Sequence, residues 1–397
     1  MRILIVHNYL RAPSGENTVF EQEKALLESK GHDVITYTRK NEEINEWGLT
    51  DRVALPFNLI WSRRSCHIIK NIIKEFKPAI AHFHNIFPLI SPAVYHACQH
   101  MGIPVVQTLH HFRLVCPGAL LFRNGQICEE CAGLKFRSAI RHACYRNSRF
   151  QTAGMALMIY LHYLLKTWHN EVDTYIALSD FAKDKFQELK FPSDRFCIKP
   201  NFLQEPVEPS FAHQGYGIFI GRLGEEKGLG CLLEAMRNCP EIQLKIIGDG
   251  PIKEFVLSKL RDSSLDNVEY IGLVDHDHAM EYLRNSQFMV FPSICYEGMP
   301  MVILEALAAA KPVIASRIGI LPEIIEDGIS GLICEAGSIS DLTEKLKWLN
   351  NRPIEALEMG KRGRKAFEEK YTADKNYELL MDIYQKAIEI NRKQHGR

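Results

Sequence analysis

The chain has 397 residues, 46% hydrophobic and 24% charged, with formal charges that cancel. That length is too great for one ordinary core and suits two soluble globular domains. No apolar run approaches the roughly 18 residues of a membrane-spanning helix, and eleven cysteines without a secretory signal speak for a reduced cytosolic chain over a disulfide scaffold.

The opening "MRILIVHNYL" reads as a first buried strand, not as a signal peptide. Strand candidates follow at 33–38, 79–84, 104–110 and 173–179, then at 217–222, 243–248, 268–273, 288–293 and 312–316. Amphipathic helix patterns such as "VFEQEKALLESKGH" lie between them. Nearly continuous apolar strands alternating with helices predict parallel sheets covered on both faces. The fold class is therefore α/β, with two doubly wound, Rossmann-like halves facing a central cleft. The segment 199–215 has three prolines and no periodicity, and reads as the linker. We place the first domain at 1–200, completed by the helix pattern of about 374–397, and the second at 201–373.

In open parallel sheets, ligands bind beyond the carboxyl ends of the strands. After the first strand, Gly15 precedes a helix start, where a backbone approach and free N–H groups suit a phosphate; a plain strand-to-helix turn fits equally. After the first strand of the second half comes "GRLGEEKG", in which Arg222 and Lys227 flank a loop that suits a diphosphate. "YIGLVDHD" leaves the backbone of Leu273 free to meet a planar ring. In "CYEGMPMVILEA", Pro300 suits the first helical position. Glu297 then lies in the turn before that helix, with the N–H groups of Gly298, Met299 and Met301 around its mouth, and Glu305 lies one to two turns in. Two carboxylates at the two ends of this element suit the separate hydroxyl-bearing parts of a sugar nucleotide.

A further segment carries Cys116, Cys128, Cys131 and Cys144, with 11, 2 and 12 residues between them. One CxxC flanked by two lone cysteines is compatible with a four-thiolate structural zinc, and also with ordinary buried thiols. His82, His84 and His111 read as hydrogen-bonding groups at strand ends.

The motifs "EGMPMVILE", "GRLGEEKG", "KPNF", "IALS", "TLH" and "SGEN" span nearly the whole chain, and with them it resembles the retaining glycosyltransferases of family 4, a GT-B group. At the cysteine segment it resembles a bacterial branch of that family with a cysteine-containing insertion. The resemblance implies that Arg222 and Lys227 hold the donor diphosphate. It implies that Glu297 and the amides after it (Gly298, Met299, Met301, Val302) hold the donor hexose, and Glu305 the ribose. His110 would sit beneath the reacting sugar, with Asn201 and Ser179 lining the cleft. The chain departs from the family at Ser14-Gly15, where two glycines are common, at Phe202, and before Lys311. No Asp-x-Asp motif stands in a suitable loop, so no catalytic metal or other cofactor is implied. Without a firm protein nucleophile, retention implies attack on the face from which the phosphate departs, with that phosphate as base.

The expected donor is a nucleotide-diphosphate sugar and the acceptor a saccharide or polyprenyl-linked glycan, in cell-surface polysaccharide synthesis. A sugar-nucleotide epimerase of the same architecture is the alternative. A zinc-containing nucleic-acid binder leaves the second half's motifs unexplained, and no nucleic acid partner is expected. Residues 52–149 hold 13 basic and 3 acidic residues, concentrated in part on "WSRRSCHIIKNIIKEFK". That basic helix reads either as a lipid-surface element at the inner membrane face or as a surface helix whose isoleucines face the core.

Overall fold

In the computed structural model the described residues are all but Ala12, Pro13, Asp262 and Arg397; the side chains of 49–53 are also outside the description. Ala12 and Pro13 of the early loop, Arg52 of the basic excess and the terminal Arg397 thus lie outside it. The chain forms two compact units: Met1–Leu121 with Cys128–Gln204 and Asn376–Arg397, and Phe122–Ile127 with Glu205–Lys375.

The strands are β1 (Arg2–Tyr9), β2 (Asp33–Lys40), β3 (Ile80–Phe83), β4 (Val105–Leu109), the hairpin strands β5 (Phe122–Arg123) and β6 (Gln126–Ile127), β7 (Thr174–Ala177) and β8 (Phe196–Ile198). Those of the second unit's sheet are β9 (Tyr216–Ile220), β10 (Gln243–Ile247), β11 (Val268–Gly272), β12 (Phe288–Phe291), β13 (Val313–Ser316) and β14 (Gly331–Cys334). The first sheet runs β2-β1-β3-β4-β7-β8 and the second β11-β10-β9-β12-β13-β14, both parallel throughout. This is the α/β, doubly wound class the alternating pattern predicts.

Ile3, Leu4, Ile5 and Val6 of β1 are fully buried, as a strand covered on both faces requires. Ile3 and Ile5 share a core with Phe20 and Leu27 of the helix Gly15–Ser29 and with Leu380, Ile383 and Tyr384 of the last helix, Ala373–Gln394. The second core joins Phe219, Leu232, Ile246 and Val290. The helix Arg63–Phe76 turns Ile69 and Ile73 inward, while Arg63, Arg64 and Lys74 stay exposed. Its isoleucine stripe is therefore a core face.

The strand order reverses direction between β1 and β3 in one sheet and between β9 and β12 in the other. Loops leaving the two strands at such a point diverge and leave a crevice beyond their carboxyl ends. In the second unit Arg222, Lys227 and Glu297 lie on these loops; in the first, Gly15 and His84 do, whereas His110 follows β4, Ser179 follows β7 and Asn201 follows β8.

Candidate active site

In the second unit, glycines allow three strand-end loops to touch. Gly228 has φ +71°, and a Cβ there would lie 1.9 Å from the Pro292 carbonyl oxygen. Gly248, at φ +139°, would likewise strike the Gly221 carbonyl at 1.9 Å. The loops after β9 and β12 are then stapled: Ile294 N–H donates to the Glu226 carbonyl at 2.9 Å, and the Ser293 hydroxyl oxygen lies 3.0 Å from the same oxygen.

This close approach brings together two residues predicted separately. The Lys227 ammonium donates to both Glu297 carboxylate oxygens, at 2.7 and 2.9 Å, and the Ser293 hydroxyl donates to Oε1 at 2.6 Å. Burial works to lower the Lys227 ammonium, but the Glu297 carboxylate outweighs it and holds the group above the usual lysine value. Arg222, half exposed, pairs with Glu226. Both cations of the loop are thus held on carboxylates. A second anion can replace or share these partners without any new charge being brought in.

The helix of the Glu-x7-Glu element runs Met301–Ala308, one residue later than Pro300 suggested, because Pro300 keeps an extended ψ of 117° and acts as the cap. No side chain caps it, so its first N–H groups remain open donors at the mouth. Gly298 and Val302 are half buried, and Met299 and Met301 are buried beside them. Glu305 is mostly covered; burial raises its carboxyl, against a weaker pull from His276, whose Nδ1 lies 3.9 Å away. Leu273 follows Gly272 and is exposed.

In the first unit the crevice is lined by imidazoles. Gly15 opens the helix Gly15–Ser29, with the Ser14 hydroxyl accepting from Asn17 N–H. Glu16 in its first turn is pushed up to about 7 by burial, against Arg113 and the hydrogen bond from Asn85. His110, just after β4, does not stand alone: its Nε2 lies 3.0 Å from His84 Nδ1, and His84 Nε2 lies 3.2 Å from Glu23 Oε1. Lys199 of "KPNF" donates to Glu23 Oε2 at 2.8 Å. Asn201 is buried in the same turn. Ser179 caps the helix Asp180–Glu188, accepting from Ala182 N–H at 3.0 Å.

The proton positions in this row follow from charge. Burial would raise the Glu23 carboxyl, but Lys199, His82 and His84 hold it well below the usual range, so it only accepts. His84 Nε2 must then carry a proton. Burial lowers His84 to about 4 despite Glu23, so it is neutral and its Nδ1 is bare. His110, pushed well below the usual value by burial and the neighbouring imidazoles, is also neutral. It donates from Nε2 to His84 and keeps a bare Nδ1, an acceptor for a hydroxyl. Among the described residues, the donor atoms of Glu23, His82 and His84 lie within 4.8 Å of one another, as in a cation site; Lys199 supplies the cation.

The sequence pointed to His110 but not to Glu23 or Lys199. The available signals were the His-x-His spacing on β3 and a lysine two residues before Asn201. In the second unit, Ser293 and Glu226 were missed; Glu226 stands inside "GRLGEEKG", singled out for Arg222 and Lys227, and Ser293 ends the strand candidate 288–293.

The cysteine segment draws Cys131 beside Cys116, Cys144 and Cys128: burial, and then these thiols, push Cys131 up to about 12, while the Ala139 N–H bonds to its sulfur and lowers it. Gly118 lies between two of them, a Cβ there coming 3.7 Å from Cys116 Sγ and 3.6 Å from Cys144 Cβ. Among the described residues, no three of the four sulfurs come within 4.8 Å of one another.

Residues 15–204 match the family described as Glycosyltransferase Family 4, and residues 204–366 that described as Glycosyl transferases group 1. The chain belongs to the family 4 glycosyltransferases. An uncharacterized glycosyltransferase of Methanocaldococcus jannaschii is 28% identical over 80% of this chain and 85% of its own length. The phosphatidyl-myo-inositol mannosyltransferase of Mycobacterium leprae is 27% identical over 46% of this chain, which spans about half (51%) of that relative. Among solved structures, sucrose-phosphate synthase from Thermosynechococcus elongatus superposes with a TM-score of 0.71 at 18% identity, covering 97% of this chain and 98% of that one. Anabaena HepE in complex with UDP and glucose superposes with a TM-score of 0.66 at 14% identity, covering 96% and 98%. These likenesses establish the GT-B fold for this family member. Among the described residues, no helix is long and apolar enough to cross a membrane.

Proposed function

We propose that this glycosyltransferase moves a hexose from a nucleotide-diphosphate sugar to a saccharide or polyprenyl-linked glycan, with retention, in cell-surface polysaccharide synthesis on the cytoplasmic side. The observation that carries this reading is the Lys227–Glu297 pair at 2.7 Å, stapled by Ser293 at the mouth of an uncapped helix. Breaking the glycosyl–phosphate bond leaves the electron pair, and the negative charge, on the nucleoside diphosphate. Lys227, Arg222 and the open helix N–H groups stabilise that charge as it develops. The acceptor oxygen bonds to the anomeric carbon on the departing face and passes its proton to the leaving phosphate. Glu297, already accepting from an ammonium and a hydroxyl, is a poor nucleophile and a good acceptor for hexose hydroxyls; His110 Nδ1 is a second acceptor. Glu305 takes the ribose hydroxyls. The UDP-bound relative supports the donor class.

The reading is tested by incubating the protein with a panel of nucleotide sugars, with and without saccharide acceptors, and reading the anomeric configuration of the product by NMR. A product with the donor's anomeric configuration is expected. Conversion of donor alone to its epimer would put the protein in the epimerase class, and an inverted product would remove retention.

We also propose that Cys116, Cys128, Cys131 and Cys144 hold a structural zinc. The packing of Cys116 and Cys144 about Gly118 and the N–H to Cys131 sulfur bond support it; closing the site asks the four side chains to turn inward. About one zinc per chain is expected in reduced, untagged protein. Its absence on elemental analysis rejects the site.

A further inference from the structure

The helix Arg149–Leu164 is built the wrong way round for a surface helix. Its inner side packs Met155, Met158 and Ile159 into the first unit. Its outer side, which should be charged, carries Phe150, Leu157, Tyr160 and Leu164, all exposed. Phe150 is 74% exposed and Leu164 57%, and Arg149 is the only charged residue in the helix. At 16 residues the helix is about 24 Å long. A single exposed leucine is ordinary, but a whole uncharged face of that length is not.

The patch does not end with the helix. The helix Leu49–Ile60 packs against it, and the His162 imidazole meets the Ile60 carbonyl at 2.8 Å. That contact seats Trp61, whose ring stacks on His162 at 6.0 Å. Trp61 is exposed, and Phe57, one turn earlier, is 73% exposed. Exposed cations rim this apolar surface: Arg141, Arg146 and Arg149 at one end of the helix and Lys166 at the other.

We propose that this face, the outer side of Arg149–Leu164 with Phe57 and Trp61, docks the protein onto an anionic lipid bilayer. An apolar helix face lying in the headgroup plane, with an aromatic beside it and cations at its ends, is the pattern by which a helix binds a membrane without crossing it. The basic rim decides between occupants. A second copy of the chain meeting the same face about a two-fold axis would bring cations against cations, whether the helices paired parallel or antiparallel, whereas phosphate headgroups complement them. The basic helix Arg63–Phe76 has its isoleucines in the core, so the apolar part of the contact belongs to this face instead. The inference deepens the proposed function by giving a lipid-linked acceptor a surface to arrive on, but its test needs no sugar.

The experiment is cosedimentation of the full chain with vesicles of phosphatidylglycerol and phosphatidylethanolamine, and with phosphatidylcholine vesicles, alongside sedimentation velocity without lipid. The parent is expected to partition onto the anionic vesicles, with part of the binding surviving high salt because part of it is apolar. The variant Phe150→Asp/Leu157→Asp/Leu164→Asp should partition more than about tenfold less while keeping its melting temperature, since each change is on an exposed side chain. Arg146→Glu/Arg149→Glu should lower binding to anionic vesicles and leave the weak binding to phosphatidylcholine unchanged. A parent that stays in the supernatant at low salt overturns the proposal, as does a triple variant that binds like the parent. A lipid-independent dimer that the triple variant dissolves, with no vesicle binding, would assign the face to a second copy instead. Transfer to a soluble acceptor is measured separately, so loss of docking and loss of the proposed function are distinguishable.

Discussion

The two units use the same topological device to opposite electrostatic ends. Each has a six-stranded parallel sheet with a reversal of strand order, and each hangs polar residues on its strand-end loops. In the second unit those loops carry formal charge: the largely covered Lys227 on Glu297, the half-exposed Arg222 on Glu226, and a helix start without a side-chain cap. In the first unit the pair at the crevice, Lys199 with Glu23, is fully buried, and what reaches the crevice is a neutral imidazole. The difference teaches where charge is needed. A leaving diphosphate needs fixed cations, whereas an uncharged sugar needs acceptors and donors of known proton state. The second unit spends its charge directly; the first uses a buried charge to set a tautomer.

The largest break in this comparison should come from the second unit. Lys227→Met is expected to lower transfer about 10²–10³-fold, as for loss of a fixed group that meets charge in the transition state. Arg222→Ala should cost only about tenfold, because its guanidinium is half exposed and water screens it. Thermal shifts with nucleoside diphosphates measure the binding side of both. Two variants that bind the diphosphate like the parent would remove the loop from the site.

The next effect is in the first unit. Glu23→Gln leaves the Lys199 ammonium buried without its counter-charge, so about 3–5 kcal/mol of that unit's stability should go. The glutamine amide can also donate to His84 Nε2, which reverses the row and puts the proton on His110 Nδ1. Adding Lys199→Met removes the stranded charge and keeps the reversal. Histidine-selective ¹⁵N spectra, with the His110 signals assigned by His110→Gln, read the tautomer directly. An unreversed row in the double variant, or a parent with His110 protonated at Nδ1, ends the account of a charge-set acceptor. Turnover should fall with the reversal while nucleoside diphosphate binding, made by the other unit, holds.

Acid should separate the units more gently. Burial lowers His7 and His84 to about 4 and His111 to about 3, from 6.5. A group whose folded value is depressed binds more protons when unfolded, so these residues cost stability as the pH falls from about 6.5 towards 4. Glu16, raised to about 7, and Asp173, raised to about 6, act in the opposite sense over the same range, but cover less of it in sum. In the second unit, Lys311 is lowered to about 8 by burial, then Arg284, so its contribution changes above neutrality and is steady below it. Hydrogen exchange at about pH 7.5 and about pH 5 should therefore show β1, β3 and β4 loosening before β9 and β12. Equal loosening of both sheets would mean the imidazoles are not what distinguishes them.

What was legible in the sequence follows the same division. Ten of the twelve sheet strands announce themselves as apolar runs, and the two that do not, β8 and β14, are the last strand of each sheet. Phe196–Ile198 has three residues, too short to show a period, and Gly331–Cys334 lies inside the glycine-punctuated run "DGISGLICEAG", which reads as a turn. The Lys227–Glu297 pair was readable because each member stands in a glycine-marked loop after a strand, even though 70 residues separate them. Glu23 and Lys199 were not, since a buried ion pair across 176 residues leaves no local signal, whereas His84 was readable as a hydrogen-bonding group at a strand end. Glu23 looks like one of several glutamates on a helix until the fold turns it inward. The apolar outer face of Arg149–Leu164 was visible only as a greasy stretch, because periodicity cannot say which face of a helix is covered.

The smallest expected effect tests the far end of the Glu-x7-Glu element. Glu305 sits away from the charged pair: among the described residues it pairs with no lysine or arginine, only with the His276 ring at 3.9 Å, and burial already raises its carboxyl. It therefore suits hydrogen bonds from neutral hydroxyls, made alike before and during the reaction. An interaction equal in ground state and transition state changes KM and leaves kcat alone. Glu305→Gln keeps the shape and one acceptor oxygen, so about 1 kcal/mol should be lost, roughly a fivefold rise in donor KM. Glu297→Gln, which breaks the pair with Lys227, should act mainly on kcat. If Glu305→Gln lowers kcat at saturating donor as much as Glu297→Gln does, the two carboxylates do not divide ribose from hexose, and the asymmetry drawn along this helix is wrong.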